Sequence, residues 1–255
     1  MKMKKRGQVT TFMIVGLVLL IIVLLLFAVK RTGIGVKTSD YLQSNLDDIK
    51  VQINKCVDQE AVQALNLIGK QGGYLNPSNY RLYKGYEVSY LCFNIPNADN
   101  CMNSIVSTKD IEEQLNNYLK ANVPSCANIN GLANSLFFPG MEVGELNIKT
   151  TIQKDSVLFD IDYPITLKKG DATAKLTPYK EAVSAPLGLL LDTTYDIINQ
   201  EAANGVFFEV QYMLANRGNV EIYKDQPYPD KVYVLNERDS DYVFQFAIES
   251  EGANE

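Results

Sequence analysis

Apolar and polar positions divide this chain into one continuous greasy run and a patterned body. No charged residue occurs among the 23 residues from Gly7 to Val29, and Phe12 to Phe27 is apolar on every side of a helix. As a helix, such a run spans roughly 34 Å, enough to cross a bilayer core of about 30 Å. A helix without a polar face belongs in a membrane or in the core of a filament. Residues 8–31 are therefore expected to form a transmembrane or filament-core helix, with Phe12, Ile14, Leu17, Leu20, Ile21, Leu24 and Phe27 among its apolar contacts.

The body begins after Thr32-Gly33-Ile34-Gly35, whose two glycines predict a hinge over 32–37. Tyr41, Leu42, Leu46, Ile49, Ile53, Cys56, Val57, Val62, Leu65 and Ile68 then recur at spacings of three and four. This predicts an amphipathic helix of about 30 residues, opened by N-cap groups at Thr38, Ser39 and Asp40 and ended by Gly69 and Gly72-Gly73. Tyr86, Val88, Tyr90 and Cys92 alternate with polar residues, a half-buried strand in a hairpin with Arg81 to Tyr83. Thr108 to Leu119 reads as a capped helix ending before Pro124. Ala127 to Gly144 reads as loop. Leu146 to Ile152, Ser156 to Leu167 and Ala172 to Leu176 read as strands. Tyr179 to Asn204 reads as a second long helix with Pro186 in its first turns and Asn204-Gly205 as its stop. Val206 to Leu214 leans to helix, and Val220 to Tyr223, Lys231 to Leu235 and Tyr242 to Ile248 read as closing strands. The expected fold class is α+β: one head over 38–255, its helices packed on antiparallel sheet.

Charge sharpens this division. Residues 1–37 hold seven basic residues and no acid, which leaves 17 basic against 30 acidic residues in 38–255, a net −13. Such a body is a poor partner for nucleic acid, whose phosphates call for clustered Lys and Arg. The four basic residues before the apolar run are expected to hold the N-terminus in the cytoplasm and place the body outside. The chain has no histidine, which excludes Ser-His and Cys-His catalytic pairs and imidazole metal sites. It has no P-loop, dinucleotide fingerprint or nucleophile elbow, and neither a cofactor nor an enzymatic activity is expected.

Lys4-Lys5-Arg6-Gly7-Gln8-Val9-Thr10-Thr11-Phe12 resembles the class III signal peptide of archaeal type IV pilins. In that family a short basic leader, 1–7 here, ends in Gly, and a prepilin peptidase cuts before the apolar helix. Carried over, the cut falls between Gly7 and Gln8. Gln8 and Thr10 match the family pattern, and Phe12 stands where the family has Glu. The match covers about 25 residues of 255. It implies a subunit of an extracellular surface filament that self-associates through its apolar helix, which rests in membrane lipid before assembly, and that serves adhesion or cell contact. The alternative is an uncleaved signal anchor carrying a surface protein that binds an extracellular partner, and a remote third is an ectoenzyme working with carboxylates alone. A conventionally cleaved signal fits poorly, because Phe27-Ala28-Val29-Lys30-Arg31 lacks a small-residue cleavage site. The order of basic leader, Gly-Gln, apolar helix, Cys-bearing helix and Gly-Gly-Tyr also looks like membrane-anchored surface proteins of small-genome archaea.

Four cysteines allow three pairings. Outside the cytosol disulfides are favoured, and Cys92–Cys101 with Cys56–Cys126 is the expected set, with buried free thiols as the alternative. No closely paired cysteines suggest a metal. Asp160 and Asp162 share one strand face, where chelation or acid–base work competes with a plain solvent face. Asn236, Glu237, Asp239 and Asp241 loosely resemble a calcium loop, and Asn97, Asp99 and Asn100 do so more weakly; each reads better as a polar turn. Tyr74, Tyr80, Tyr83, Tyr86 and Tyr90 suit a contact surface, though alternate members belong in a core.

Overall fold

The computed structural model describes residues 8–32, 38–95, 101–136, 138 and 140–249. The leader with Gly7, the glycines of the hinge and the Asn97, Asp99, Asn100 cluster lie outside the described residues. The first helix, α1 (Gln8–Thr32), has 25 residues. Its side chains are described from Met13 to Leu25, and all of them are exposed. As a helix this stretch spans about 20 Å, less than a bilayer core of about 30 Å. Among the described residues no helix is long and apolar enough to cross a membrane. The expected helix is thus present, and its transmembrane role is not a finding of the structure.

The head is organised around α2 (Thr38–Lys70). Its stripe at Leu42, Leu46, Ile49, Ile53, Val57, Ala61, Ala64, Leu65 and Ile68 is buried, as the three-and-four spacing predicts. Gly69 lies inside the helix instead of ending it. A Cβ there would stand 2.3 Å from the Val243 carbonyl oxygen, so glycine is needed for close approach of a strand. The chain turns at Gly72 and Gly73, both at positive φ.

The largest sheet begins with the expected hairpin, β1 (Tyr80–Tyr83) and β2 (Tyr86–Phe93). Its turn residues Lys84 and Gly85 have φ of 47° and 86°, the left-handed pair that a two-residue hairpin requires. The strand order is β1-β2-β12-β11-β10, with β10 Val220–Asp225, β11 Lys231–Glu237, β12 Val243–Ile248 and the short β3 (Met102–Asn103) beside β2. The sheet is not wholly antiparallel: β12 runs parallel to β2, with Ala247 opposite Tyr90. A parallel neighbour needs a long crossover, and the rest of the head supplies it.

Two smaller antiparallel sheets complete the head. One has the order β4 (Met141–Val143), β7 (Ile165–Lys169), β8 (Ala172–Lys175); the other has β5 (Asn147–Ile152), β6 (Ser156–Asp162), β9 (Tyr179–Ser184). The single strand expected over Ser156 to Leu167 breaks at Pro164, which has no N–H for a ladder, and the two halves enter different sheets. The helix expected from Tyr179 starts only at Leu187, as α5 (Leu187–Asn204). Residues 179–184 instead alternate in burial and pair with β6. Pro186 sets where the helix can begin, since it biases Ala185 towards extended backbone.

The third helix, α3 (Thr108–Cys126), runs through Pro124, where only the bond of one missing N–H is lost in the last turn. Two of its side chains reach the outer edge of β5. Asn116 Oδ1 accepts from the Thr150 N–H at 2.7 Å, and Glu112 Oε1 from the Ile152 N–H at 2.9 Å. The segment expected as loop holds α4 (Ile129–Ala133) as well as β4. The last helix, α6 (Glu209–Ala215), is shorter than the apolar run that suggested it.

Both expected disulfides are present, Cys56–Cys126 tying α2 to the end of α3 and Cys92–Cys101 closing the loop after β2. Their sequence separations are 70 and 9 residues. On loop entropy alone the first contributes about 4 kcal/mol and the second about 3 kcal/mol. Replacing Cys56 and Cys126 together by Ser is therefore expected to lower the denaturation midpoint more than replacing Cys92 and Cys101. Equal midpoints in urea titrations would contradict this ranking.

Candidate functional site

The tyrosines expected on a contact surface are mostly turned to an internal task. The β1–β2 hairpin curls over the outer face of the large sheet, where Tyr83, Val88, Val232 and Ala247 form a second, smaller core. Polar side chains pin the hairpin there. The Tyr83 hydroxyl donates to Asp225 Oδ2 at 2.8 Å, and the Tyr90 hydroxyl to Asp230 Oδ2 at 2.7 Å. Arg81 forms an ion pair with the buried Asp230. Burial first, and the bond to Asp230 second, push the Tyr90 phenol up to about 12. Tyr86 accepts from Lys70 Nζ at 2.9 Å. Tyr80 alone of the five is well exposed.

A second buried network joins α5 to β11. Glu201 is only 3% exposed. It accepts from the Tyr233 hydroxyl and, at 2.6 Å, from Lys231 Nζ, which also donates to the Gly205 carbonyl at 2.8 Å. Burial, then the bond to Glu201, raise the Tyr233 phenol well above its ordinary value. No spacing rule marked this trio, because Glu201 lies on α5, far along the chain from Lys231 and Tyr233 on β11. Each group is satisfied inside the protein, which is the arrangement of a structural tie. Among the described residues two buried side-chain atoms lack a hydrogen-bond partner, Asn54 Oδ1 and the Tyr179 hydroxyl.

The acidic pairs read as surface. Asp160 and Asp162 share the outer face of β6, where Lys149 and Lys180 stand opposite Asp160. Lys180 pairs with Asp160 at 2.8 Å, and Asp162 is exposed. Asn236 turns to Glu221 on β10, and Asp239 sits in the β11–β12 turn at a φ of 69°. Among the described residues no group of three or more Cys, Asp or Glu is placed to hold a metal ion.

What remains open is apolar surface. On α1 the candidate contacts Ile14, Leu17, Leu20, Ile21 and Leu24 are all exposed. The side chains of Gln8, Phe12 and Phe27 lie outside the described ones. On the head, α6 and β10 flank a groove of about 680 Å³ lined by Val210, Met213, Leu214, Ile222 and Tyr223. The only sequence signal for it was the ambiguous apolar run after Val206.

The buried phenols fix the response to alkali. Tyr90, Tyr179, Tyr212, Tyr233 and Tyr242 all have raised pKa values, chiefly through burial. Unfolded tyrosine ionises near pH 10. A group with a raised folded pKa contributes full stability below its unfolded pKa and loses it as pH rises through the folded value. The urea midpoint is therefore expected to fall above about pH 10, with the last phenolate absorbance appearing only on unfolding. A flat midpoint to pH 12 would contradict it. Tyr233→Phe, which removes a donor to a buried carboxylate, is expected to cost about 2 kcal/mol in the same titration at pH 7. Tyr179→Phe removes an unsatisfied hydroxyl and is expected to be neutral or stabilising.

Comparison with known proteins finds no match among family models, curated proteins or solved structures.

Proposed function

We propose that this chain is a pilin-like subunit of an extracellular surface filament, anchored in the membrane by α1 before assembly and serving adhesion or cell contact. One observation carries the proposal. The head closes its own core from α2 onwards, while every described side chain of α1 from Met13 to Leu25 is left exposed. An apolar helix of that kind needs lipid or copies of itself around it. The apolar sequence extends beyond the described side chains on both sides, to Gly7 and Val29, which restores the length that a bilayer asks for. The basic leader favours a head outside the cytoplasm. The two disulfides fit an oxidising compartment. In a filament, the same helix exchanges lipid for its neighbours without changing its chemistry.

A retained signal anchor is the second possibility. It is favoured by Phe12, which stands where the pilin pattern has an acid. The two separate on the mature N-terminus. Protein taken from the native cell surface is expected to begin at Gln8, measured by intact mass and N-terminal peptides. Retention of Met1 to Gly7 would instead leave a signal-anchored surface protein. Ile21→Asp, which puts a charge in the middle of α1, is expected to abolish both membrane retention and filaments seen by electron microscopy, with the head still folded.

A further inference from the structure

An anchor in α1 fixes which end of the head stands at the bilayer. The first helix ends at Thr32 and α2 starts at Thr38. Six residue steps reach about 20 Å at most. The start of α2 is therefore held within that distance of the end of α1. Tyr41 and Leu42 lie there, and with Leu136, Phe138 and Leu167 they line a cavity of about 290 Å³. Leu136 is 96% exposed, the most of any large apolar side chain among the described residues, and Tyr41 is 45% exposed.

The loop that bears Leu136 is fixed on both sides. Before it, the Ser135 N–H and hydroxyl both donate to the Leu132 carbonyl, at 3.1 and 2.7 Å. After it, the Met141 N–H donates to the Phe138 carbonyl at 3.1 Å. Gly140, at a φ of 89°, packs so closely that a Cβ there would stand 2.8 Å from the Lys168 carbonyl oxygen. Leucine is thus presented to the outside by a built loop, where water is its poorest neighbour.

Charge does not choose what covers it. Lys168 forms an ion pair with Glu142, and Lys169 Nζ lies 4.8 Å from the centre of the Tyr41 ring. Asp40, Glu145 and Asp171 are exposed on the adjoining segments. This end is therefore not cationic, and it has no reason to seek an anionic surface. Position along the chain chooses instead: the apolar tip shares its end of the head with the tether to α1.

We propose that Leu136, with Tyr41 beside it, dips into the headgroup–acyl boundary of the bilayer that holds α1. The occupant is neutral lipid. A leucine enters the acyl boundary, and a tyrosine sits at the interface with its ring in the apolar zone and its hydroxyl in water. This contact rests on the anchoring proposed above and adds an orientation to it. The head is mounted at two points, the tether and the Leu136 tip, with the Ile68 end of α2 facing away from the membrane.

The test is quenching by lipid in full-length chain reconstituted into phosphatidylcholine vesicles. All four native cysteines are in disulfides, so an added thiol is labelled alone. Leu136→Cys and Val62→Cys are made separately and labelled with the same environment-sensitive fluorophore. Val62 is exposed on α2, about 30 Å along the helix from Tyr41. The dye is common to both, so its own affinity for lipid cancels in the comparison. Lipid brominated along the acyl chain is expected to quench the Leu136 probe at least about threefold more strongly than the Val62 probe. The ratio is expected to persist in about 1 M salt, where surface charges are screened. Equal or greater quenching at Val62, quenching of neither, or a ratio lost in salt overturns the contact; in chain that floats with the vesicles, each of these leaves the anchor standing. Chain that fails to float with the vesicles overturns the anchor itself, and this contact with it.

Discussion

The burial of one face of α2 is the constraint on which the head depends. That face runs from Leu42 to Ile68 and meets α3 and strands from all three sheets. None of these sheets could stand by itself: the two smaller ones have three strands each and need a surface to cover one side. The close approach at Gly69 and the Cys56–Cys126 bond hold two points of the same helix against different partners. A polar residue in the middle of this stripe, at Ile53 or Val57, would disturb every layer together.

Much of this was legible in the amino-acid order, because the strongest signals were local and periodic. The three-and-four spacing of α2, the alternation of β2 beside Arg81 to Tyr83 and the alternation in β6 each determine a shape within a few residues. Failures came where a long-range partner decided. Tyr179 to Ser184 has no decisive period of its own, and β6 made it a strand. Pro124 reads as a stop, but a proline in a last turn gives up only its own bond. The parallel pairing of β12 with β2 joins segments too distant in the chain for any window to connect.

Surfaces were harder to read than the core. The tyrosine cluster was visible, but its direction was not: Tyr83 and Tyr90 turn inward because Asp225 and Asp230, far along the chain, accept from them. The Glu201, Lys231 and Tyr233 network left no trace, since each member is ordinary in its own segment. The disulfides were easier, as four cysteines offer few pairings and one pair closes a short loop. The exposed character of α1 follows directly from composition, which is why the proposed function leans on it.

The side chains that α3 lays along β5 have a consequence for life in a crowd. A strand with free amides invites the same strand of a neighbour to zip onto it. Asn116 and Glu112 occupy the amides of Thr150 and Ile152, and so take that option away on β5. With those two amides occupied, a second copy of the strand finds neither of them free to pair with.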